Sequence, residues 1–168
     1  MNVLDAIQQR RAVKHFDPEF QLSQKDKKQL IENVMQNAPS AFNLQHWRPV
    51  LIEDPELRQQ IRKIAWDQPQ VTDASLLIVL CAKQDTWDKD ASLVWTGVPD
   101  HIQKMMVGAI DQYYRGRPQT QRDEVMRSAG IFAQTLMLLA KDQGLDSCPM
   151  DGFDFEEMAK LIQLPEDH

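Results

Sequence analysis

Apolar positions recur at helical spacing along most of this chain, and two short runs are apolar without a break. The periodic segments predict six helices, which begin near residues 2, 24, 55, 101, 119 and 155. The unbroken runs, 50–52 and 76–80, predict short strands, the second with the composition of a strand buried on both faces. Helices that alternate with so few strands indicate a single α+β domain over 1–168, with helices around a small sheet.

The longest predicted helix, 119–143, is unusual because its second half, 129–140, is apolar almost all round. Such a helix is expected at the centre of a fold or in an oligomer interface. The preceding helix carries a methionine-rich stripe, which is typical of a core or a subunit contact.

Composition narrows the class of protein. A net charge of -6 argues against a nucleic-acid surface, and the longest apolar run, 76–82, is too short to span a membrane. The first residues lack the pattern of a signal peptide, so we expect a cytoplasmic protein. Cys81 and Cys148 are predicted to be buried thiols, and the four scattered histidines predict no metal site.

The segment 10–16 is locally basic although the chain as a whole is acidic: Arg10, Arg11, Lys14 and His15 lie within six residues. One interpretation is a cationic helix end that complements the helix dipole. The other is an anion site, because arginine grips phosphate oxygens in pairs. We favour the phosphate interpretation.

Two loops contain more polar and aromatic side chains than a simple connection between elements needs. The loop 38–47 combines proline, serine, two amides, His46 and Trp47, and 66–71 again places amides beside an aromatic ring. Each is either a structured connection or a ligand-binding loop. The glycine-rich turns of dinucleotide and nucleoside-triphosphate folds are absent, so loops would have to hold any cofactor.

Three segments together, 10–16, 38–47 and 144–153, resemble the nitroreductase family of FMN-dependent oxidoreductases. The amino-acid sequence of residues 40–46 is most similar to that of the bacterial branch of NAD(P)H nitroreductases and quinone reductases. The resemblance implies a small, mainly antiparallel sheet flanked by helices, and an intertwined homodimer with two FMN sites at its interface. It also implies hydride transfer from NADH or NADPH through flavin N5 to a nitroaromatic or quinone, in a ping-pong cycle. No catalytic side chain is needed, because the flavin carries the chemistry.

The resemblance also assigns residues to the cofactor. Arg10 and Arg11 would hold the phosphate, near Ala12, and Lys14 would reach the pyrimidine edge. A partner subunit would line the ring or ribityl chain with Pro39, Ser40, Ala41 and Asn43. Hydrogen bonds to the ribityl or pyrimidine atoms are expected from Gln45, Asp67 and Gln70, and contacts near N5 from Met150, Asp151 and Gly152.

Three departures from the family pattern change these expectations. Ala12 stands where relatives often have a serine that donates to the phosphate, and His46 where many have proline. Family members usually continue with another strand and a basic segment, but nothing follows His168. We therefore expect the C-terminal strand to be missing. The alternative function is that of a non-catalytic or impaired flavin-binding protein, or an interaction protein of the same fold.

Overall fold

The computed structural model describes residues 1–168, folded into nine helices and two strands. The helices are α1 (Val3–Gln9), α2 (Gln24–Asn37), α3 (Pro55–Ile64), α4 (Gln70–Asp73), α5 (Thr86–Lys89), α6 (Ala91–Val94), α7 (Asp100–Tyr114), α8 (Pro118–Asp142) and α9 (Phe155–Leu161). The strands are β1 (Trp47–Ile52) and β2 (Leu77–Ala82), and a 3₁₀ turn spans Ala41–Asn43.

Side-chain caps fix the starts of several helices. Ser23 accepts a hydrogen bond from the N–H of Asp26 at the start of α2. Asp54 caps α3, whose first residue is a proline, and Asp154 caps α9 by accepting from two backbone N–H groups. These residues satisfy N–H groups that have no partner inside the helix. The helix starts near 24, 55 and 155 are therefore confirmed.

The sheet consists of β1 and β2 alone, paired antiparallel with Trp47 opposite Ala82 and Ile52 opposite Leu77. The predicted α+β fold with a small antiparallel sheet is confirmed. β1 begins at Trp47 and not at Val50, because Trp47 already pairs with β2 while its side chain is fully buried.

The core lies on both sides of this sheet. Trp47 packs on Phe132 of α8, with ring centroids 5.4 Å apart. At the other end of β1, Ile52 packs with Ile61 of α3 and Met158 of α9. A third cluster joins Leu44 to Tyr114 and other residues of α6 and α7. The segment that precedes β1 is therefore anchored in the core at Leu44 and at Trp47.

Helix α8 is central, as predicted, since it contacts α1, α2, α7 and both strands. Its second half is nevertheless only partly covered: Phe132 and Ala140 are buried, while most of its other apolar side chains are half-buried. Met105 of α7 and Met126 of α8 are each 59% exposed. The predicted subunit contact therefore has an apolar surface available on α7 and α8.

The two cysteines have different environments. Cys81 is buried as predicted, and burial raises the pKa of its thiol. The prediction for Cys148 is wrong: it is half-buried, because it follows α8 in a loop that forms the wall of a cleft. No helix of this structure is long and apolar enough to cross a membrane.

Candidate functional site

The cationic segment begins where α1 ends. Arg10 is the C-cap residue of α1, and the chain then continues in extended form. Ala12 forms a parallel bridge with Ser147, and the N–H of Val13 donates to the Ser147 carbonyl at 3.1 Å. This bridge brings the cationic segment beside the 144–153 loop, although the two lie at opposite ends of the chain.

The cations of this segment have different partners. Arg11 donates to the carbonyl oxygens of Gln8 at 2.7 Å and of Arg10 at 2.8 Å, both at the C-terminal end of α1. The side chains of Arg10 and Lys14 make no hydrogen bond within the protein, and none of the three cations forms an ion pair. Helix capping therefore accounts for Arg11 in this structure, whereas Arg10 and Lys14 remain available to an anion.

The loop between α3 and α4 holds an unusual backbone conformation. Trp66 and Asp67 have φ values of 53° and 52°, in the left-handed region that residues other than glycine rarely adopt. Arg62 secures the turn: its Nε donates to Asp67 at 2.6 Å, and its carbonyl accepts from the Asp67 N–H at 3.1 Å. Non-glycine residues held in this way cluster at functional sites.

The amides of this loop face different directions. Gln68 donates to the carbonyl of Asp151 at 3.1 Å and so ties the loop to the 144–153 segment. Gln70 is buried, donates to the Gln68 side chain at 3.0 Å, and lies 4.0 Å from the Cys148 sulfur. Asp67 is exposed and paired with Arg62. Gln68, which the sequence did not single out, is thus the amide that reaches the cleft.

The three segments enclose a cleft of about 670 Å³, within the size range of small-molecule sites. Its walls combine one cation, one carboxylate, one amide, apolar groups and aromatic rings, contributed by Lys14, Trp66, Gln68, Cys148, Pro149, Met150, Asp151, Gly152, Phe153 and Phe155. Lys14, Met150, Asp151 and Gly152 were predicted as site residues from the sequence. Trp66, Phe153 and Phe155 were not, and only the aromatic character of Trp66 beside amides pointed to it.

Gly152 allows a close approach at this cleft. Its φ is 76°, and a Cβ added there would lie 2.7 Å from two carbons of the Trp66 ring. Its N–H donates to the Asp151 side chain at 3.1 Å, while the N–H groups of Met150 and Asp151 have no acceptor within the protein. Two residues that line the cleft therefore have backbone N–H groups available to a ligand, close to a flat ring, a combination that suits a planar polar ligand.

The loop from Pro39 to Gln45 is also strained and tightly held. Phe42, Asn43 and Gln45 all have positive φ, between 48° and 58°. Ser40 accepts from the N–H of Gln45 at 2.9 Å, and the carbonyl of Phe42 accepts from the Trp95 indole at 3.0 Å. Such backbone positions cost about 1–3 kcal/mol each and persist only where neighbouring contacts enforce them. The loop is therefore a preformed surface.

This loop does not line the cleft that contains Lys14. Leu44 and Gln45 instead border a second cleft of about 690 Å³, together with Arg48 and Lys83. Pro39 and Asn43 are exposed, and Ser40 and Ala41 are half-buried. Within one chain, the predicted site residues thus form two separate groups.

His46 joins this loop to the core. It is fully buried, with Nδ1 3.1 Å from the carbonyl of Lys83, and Nε2 has no partner. Burial lowers the pKa of His46, because the imidazolium form would lose its hydration. His46 is therefore a neutral, structural side chain, and no group of three or more potential metal ligands occurs in the structure.

Comparison with known proteins identifies the family. The model of the nitroreductase family matches residues 7–168. This chain belongs to the nitroreductase family. All three segments that the sequence analysis used for the resemblance lie within the matched region, and the expected fold and family are confirmed.

Two relatives and one solved structure each match at least 98% of this chain. DrgA of Synechocystis sp. is 49% identical over 168 residues, which are 100% of this chain and 80% of DrgA. YodC of Bacillus subtilis, named as a candidate NAD(P)H nitroreductase, is 29% identical over 98% of this chain and 83% of its own length. A structure from Exiguobacterium sibiricum, solved in complex with FMN, has a TM-score of 0.88 at 23% identity and covers 99% of this chain and 82% of that one.

Proposed function

We propose that this chain is an FMN-dependent oxidoreductase that transfers two electrons from NADH or NADPH to a nitroaromatic or a quinone. For a quinone the balance is NAD(P)H + H⁺ + quinone → NAD(P)⁺ + hydroquinone. The observation that carries the proposal is the cleft itself, where the unpaired Lys14 ammonium, backbone N–H groups without an acceptor and aromatic rings meet. YodC and the FMN complex from Exiguobacterium sibiricum support the same cofactors.

The donor set fits FMN. Arg10 has no partner within the protein, and Arg11 pairs only with exposed carbonyls, so both can bind a phosphate. The Lys14 ammonium would stabilise negative charge at the pyrimidine edge of the ring. The free N–H groups of Met150 and Asp151 would hydrogen-bond polar atoms of the ring. When bound, FMN supplies the two-electron exchange, and the protein holds and tunes it.

Two expected contacts need a different assignment. Gln68 lines the cleft, whereas Gln70 is buried behind it and Asp67 is paired with Arg62. We therefore propose that Gln68 makes the amide contact to the cofactor and that Gln70 positions Gln68. Asp67 then acts by fixing the turn that precedes them.

The separation of the two residue groups supports a homodimeric site. The loop from Pro39 to Gln45 is strained and preformed but lies away from the Lys14 cleft of its own chain. We propose that this loop covers the cleft of a second copy and lines the FMN ring there. The half-exposed apolar residues of α8 and the exposed Met105 and Met126 provide surface for that contact.

The test is reconstitution. The purified protein is incubated with FMN, freed of excess by gel filtration and examined for flavin absorbance, which should remain with the protein. Anaerobic NADH or NADPH should bleach that absorbance, and 1,4-naphthoquinone should then sustain nicotinamide oxidation. A protein that retains no FMN contradicts the proposal. A protein that retains FMN without turnover supports the impaired flavin-binding alternative.

A further inference from the structure

The most exposed large apolar side chain of this protein lies at the cleft. Trp66 is 80% exposed, although tryptophan usually buries most of its surface. Phe155, on the same cleft, is 68% exposed, and the centroid of its ring lies 4.5 Å from the ring centroid of Phe153. Exposed aromatic rings around a concave site commonly mark a binding surface.

The backbone holds Trp66 outward at a cost. The left-handed conformation of Trp66 and Asp67 is fixed by Arg62, which bonds both to Asp67 and to the Thr72 hydroxyl at 3.0 Å. The fold therefore stabilises a strained turn that directs the indole away from the core of its own chain and into the cleft. This arrangement adds little to the core, so its use lies in the cleft.

The indole is also supported from beneath. The Gly152 backbone approaches the six-membered part of the ring so closely that no side chain fits between them. Lys14 lies in the same cleft and contributes a positive charge, beside the Asp151 carboxylate that also lines it. A supported flat ring beside a cation favours a planar, electron-poor or anionic aromatic molecule, through stacking and charge.

We propose that Trp66 is the residue that selects planar aromatic electron acceptors, by stacking against them in the cleft. The inference rests on the proposed function, since it assigns the acceptor side of the same site. In this assignment Trp66 binds the acceptor, while Lys14, Gln68 and the backbone N–H groups of Met150 and Asp151 hold FMN. Neither composition nor the family resemblance had assigned it a role.

The kinetic test compares Trp66→Ala and Trp66→Phe with Phe20→Ala, an exposed aromatic residue outside both clefts. For 1,4-naphthoquinone, Trp66→Ala should raise KM about tenfold, and Trp66→Phe should retain most of the affinity. With ferricyanide, which offers no ring to stack, all variants should match the wild type. Phe20→Ala should be unchanged with both acceptors.

Binding gives a readout that does not depend on turnover. Calorimetric titration of the FMN-loaded protein with 2-naphthoate should give an affinity about tenfold weaker in Trp66→Ala. Cyclohexanecarboxylate, which has the same charge but is not planar, should bind weakly and equally to both proteins.

The outcomes separate the two proposals. If FMN is not retained or NAD(P)H is not consumed, the proposed function fails and this inference fails with it. If FMN binding and the ferricyanide reaction are normal but Trp66→Ala leaves the naphthoquinone KM and the naphthoate affinity unchanged, only this inference fails. An equal loss of FMN affinity in Trp66→Ala would also overturn it, because Trp66 would then hold the cofactor.

Discussion

Arg10 and Arg11 are neighbours with different surroundings, so their substitution separates phosphate binding from helix capping. Arg11→Gln removes a guanidinium that donates to two carbonyls at the end of α1. Loss of that charge from an exposed helix end should lower the free energy of unfolding by about 0.3–1 kcal/mol. Arg10→Gln removes a side chain without any partner, so we expect no measurable change in stability.

Both substitutions should weaken FMN binding. A hydrogen bond to a charged group contributes about 1.5–3 kcal/mol, which corresponds to roughly a tenfold to hundredfold change in Kd. Binding of Arg11 to the phosphate would compete with its bonds to α1, so the loss for Arg11→Gln should be the smaller of the two. Urea denaturation of the FMN-free protein gives stability, and quenching of flavin fluorescence gives Kd.

Lys104→Gln is the control, since Lys104 is exposed on α7, forms no ion pair and lies outside the cleft. Higher salt should reduce the difference between wild type and both arginine variants, because screening weakens exposed charge interactions. The reasoning is refuted if Arg10→Gln binds FMN as tightly as the wild type. It is also refuted if both variants lose stability and FMN affinity in equal measure, because capping would then explain both arginines.

Three further predictions concern the cleft, the core and the dimer. Gly152→Ala should cost about 1–2 kcal/mol of stability in thermal denaturation, because its φ of 76° disfavours alanine; a Trp66→Ala background should remove any additional loss caused by contact with the ring. Burial lowers the pKa of His46 below its usual 6.5. As the pH falls below about 6.5, the unfolded chain therefore binds a proton that the folded chain excludes, and the free energy of unfolding should decrease. Urea denaturation at a series of pH values below 6.5 should show a smaller decrease in stability for His46→Gln than for the wild type. An equal pH dependence in both proteins would contradict the assignment of His46 as a buried neutral side chain. If loop 39–45 completes the partner's site, random mixing of Lys14→Glu and Asn43→Trp chains should restore about a quarter of wild-type activity through hybrid dimers with one intact site; no recovery would argue against the shared site.

Local sequence signals predicted the helical framework well. Ser23, Asp54 and Asp154 cap helices at the starts predicted near 24, 55 and 155, because a cap depends only on a few neighbouring residues. The start of β1 was less predictable. Trp47 belongs to the strand because of its pairing with Ala82 and its packing on Phe132, both of which are distant in sequence.

The candidate site was predictable in its segments but not in its individual contacts. Positive φ at Trp66 and Asp67 decides that Gln68 reaches the cleft and that Gln70 turns inward. Tryptophan gives no sequence signal for that conformation, and aspartate gives only a weak one. The separation of the Pro39–Gln45 loop from the Lys14 cleft also depends on tertiary structure, so only the family resemblance predicted that a second subunit would contribute this loop to the site.

The bridge between Ala12 and Ser147 has a consequence for how the protein is made. These residues are 135 positions apart in the sequence (147 minus 12), so the bridge is a contact of high sequence separation. During synthesis the cationic segment 10–16 leaves the ribosome first. The 144–153 loop, which forms another wall of the same cleft, follows only after α8 has been synthesised. Contacts of this kind form late, because the chain entropy lost in closing them must be compensated by other structure. Cofactor capture should therefore follow the folding of almost the entire chain, and a nascent or truncated chain that ends before residue 147 should be unable to hold FMN.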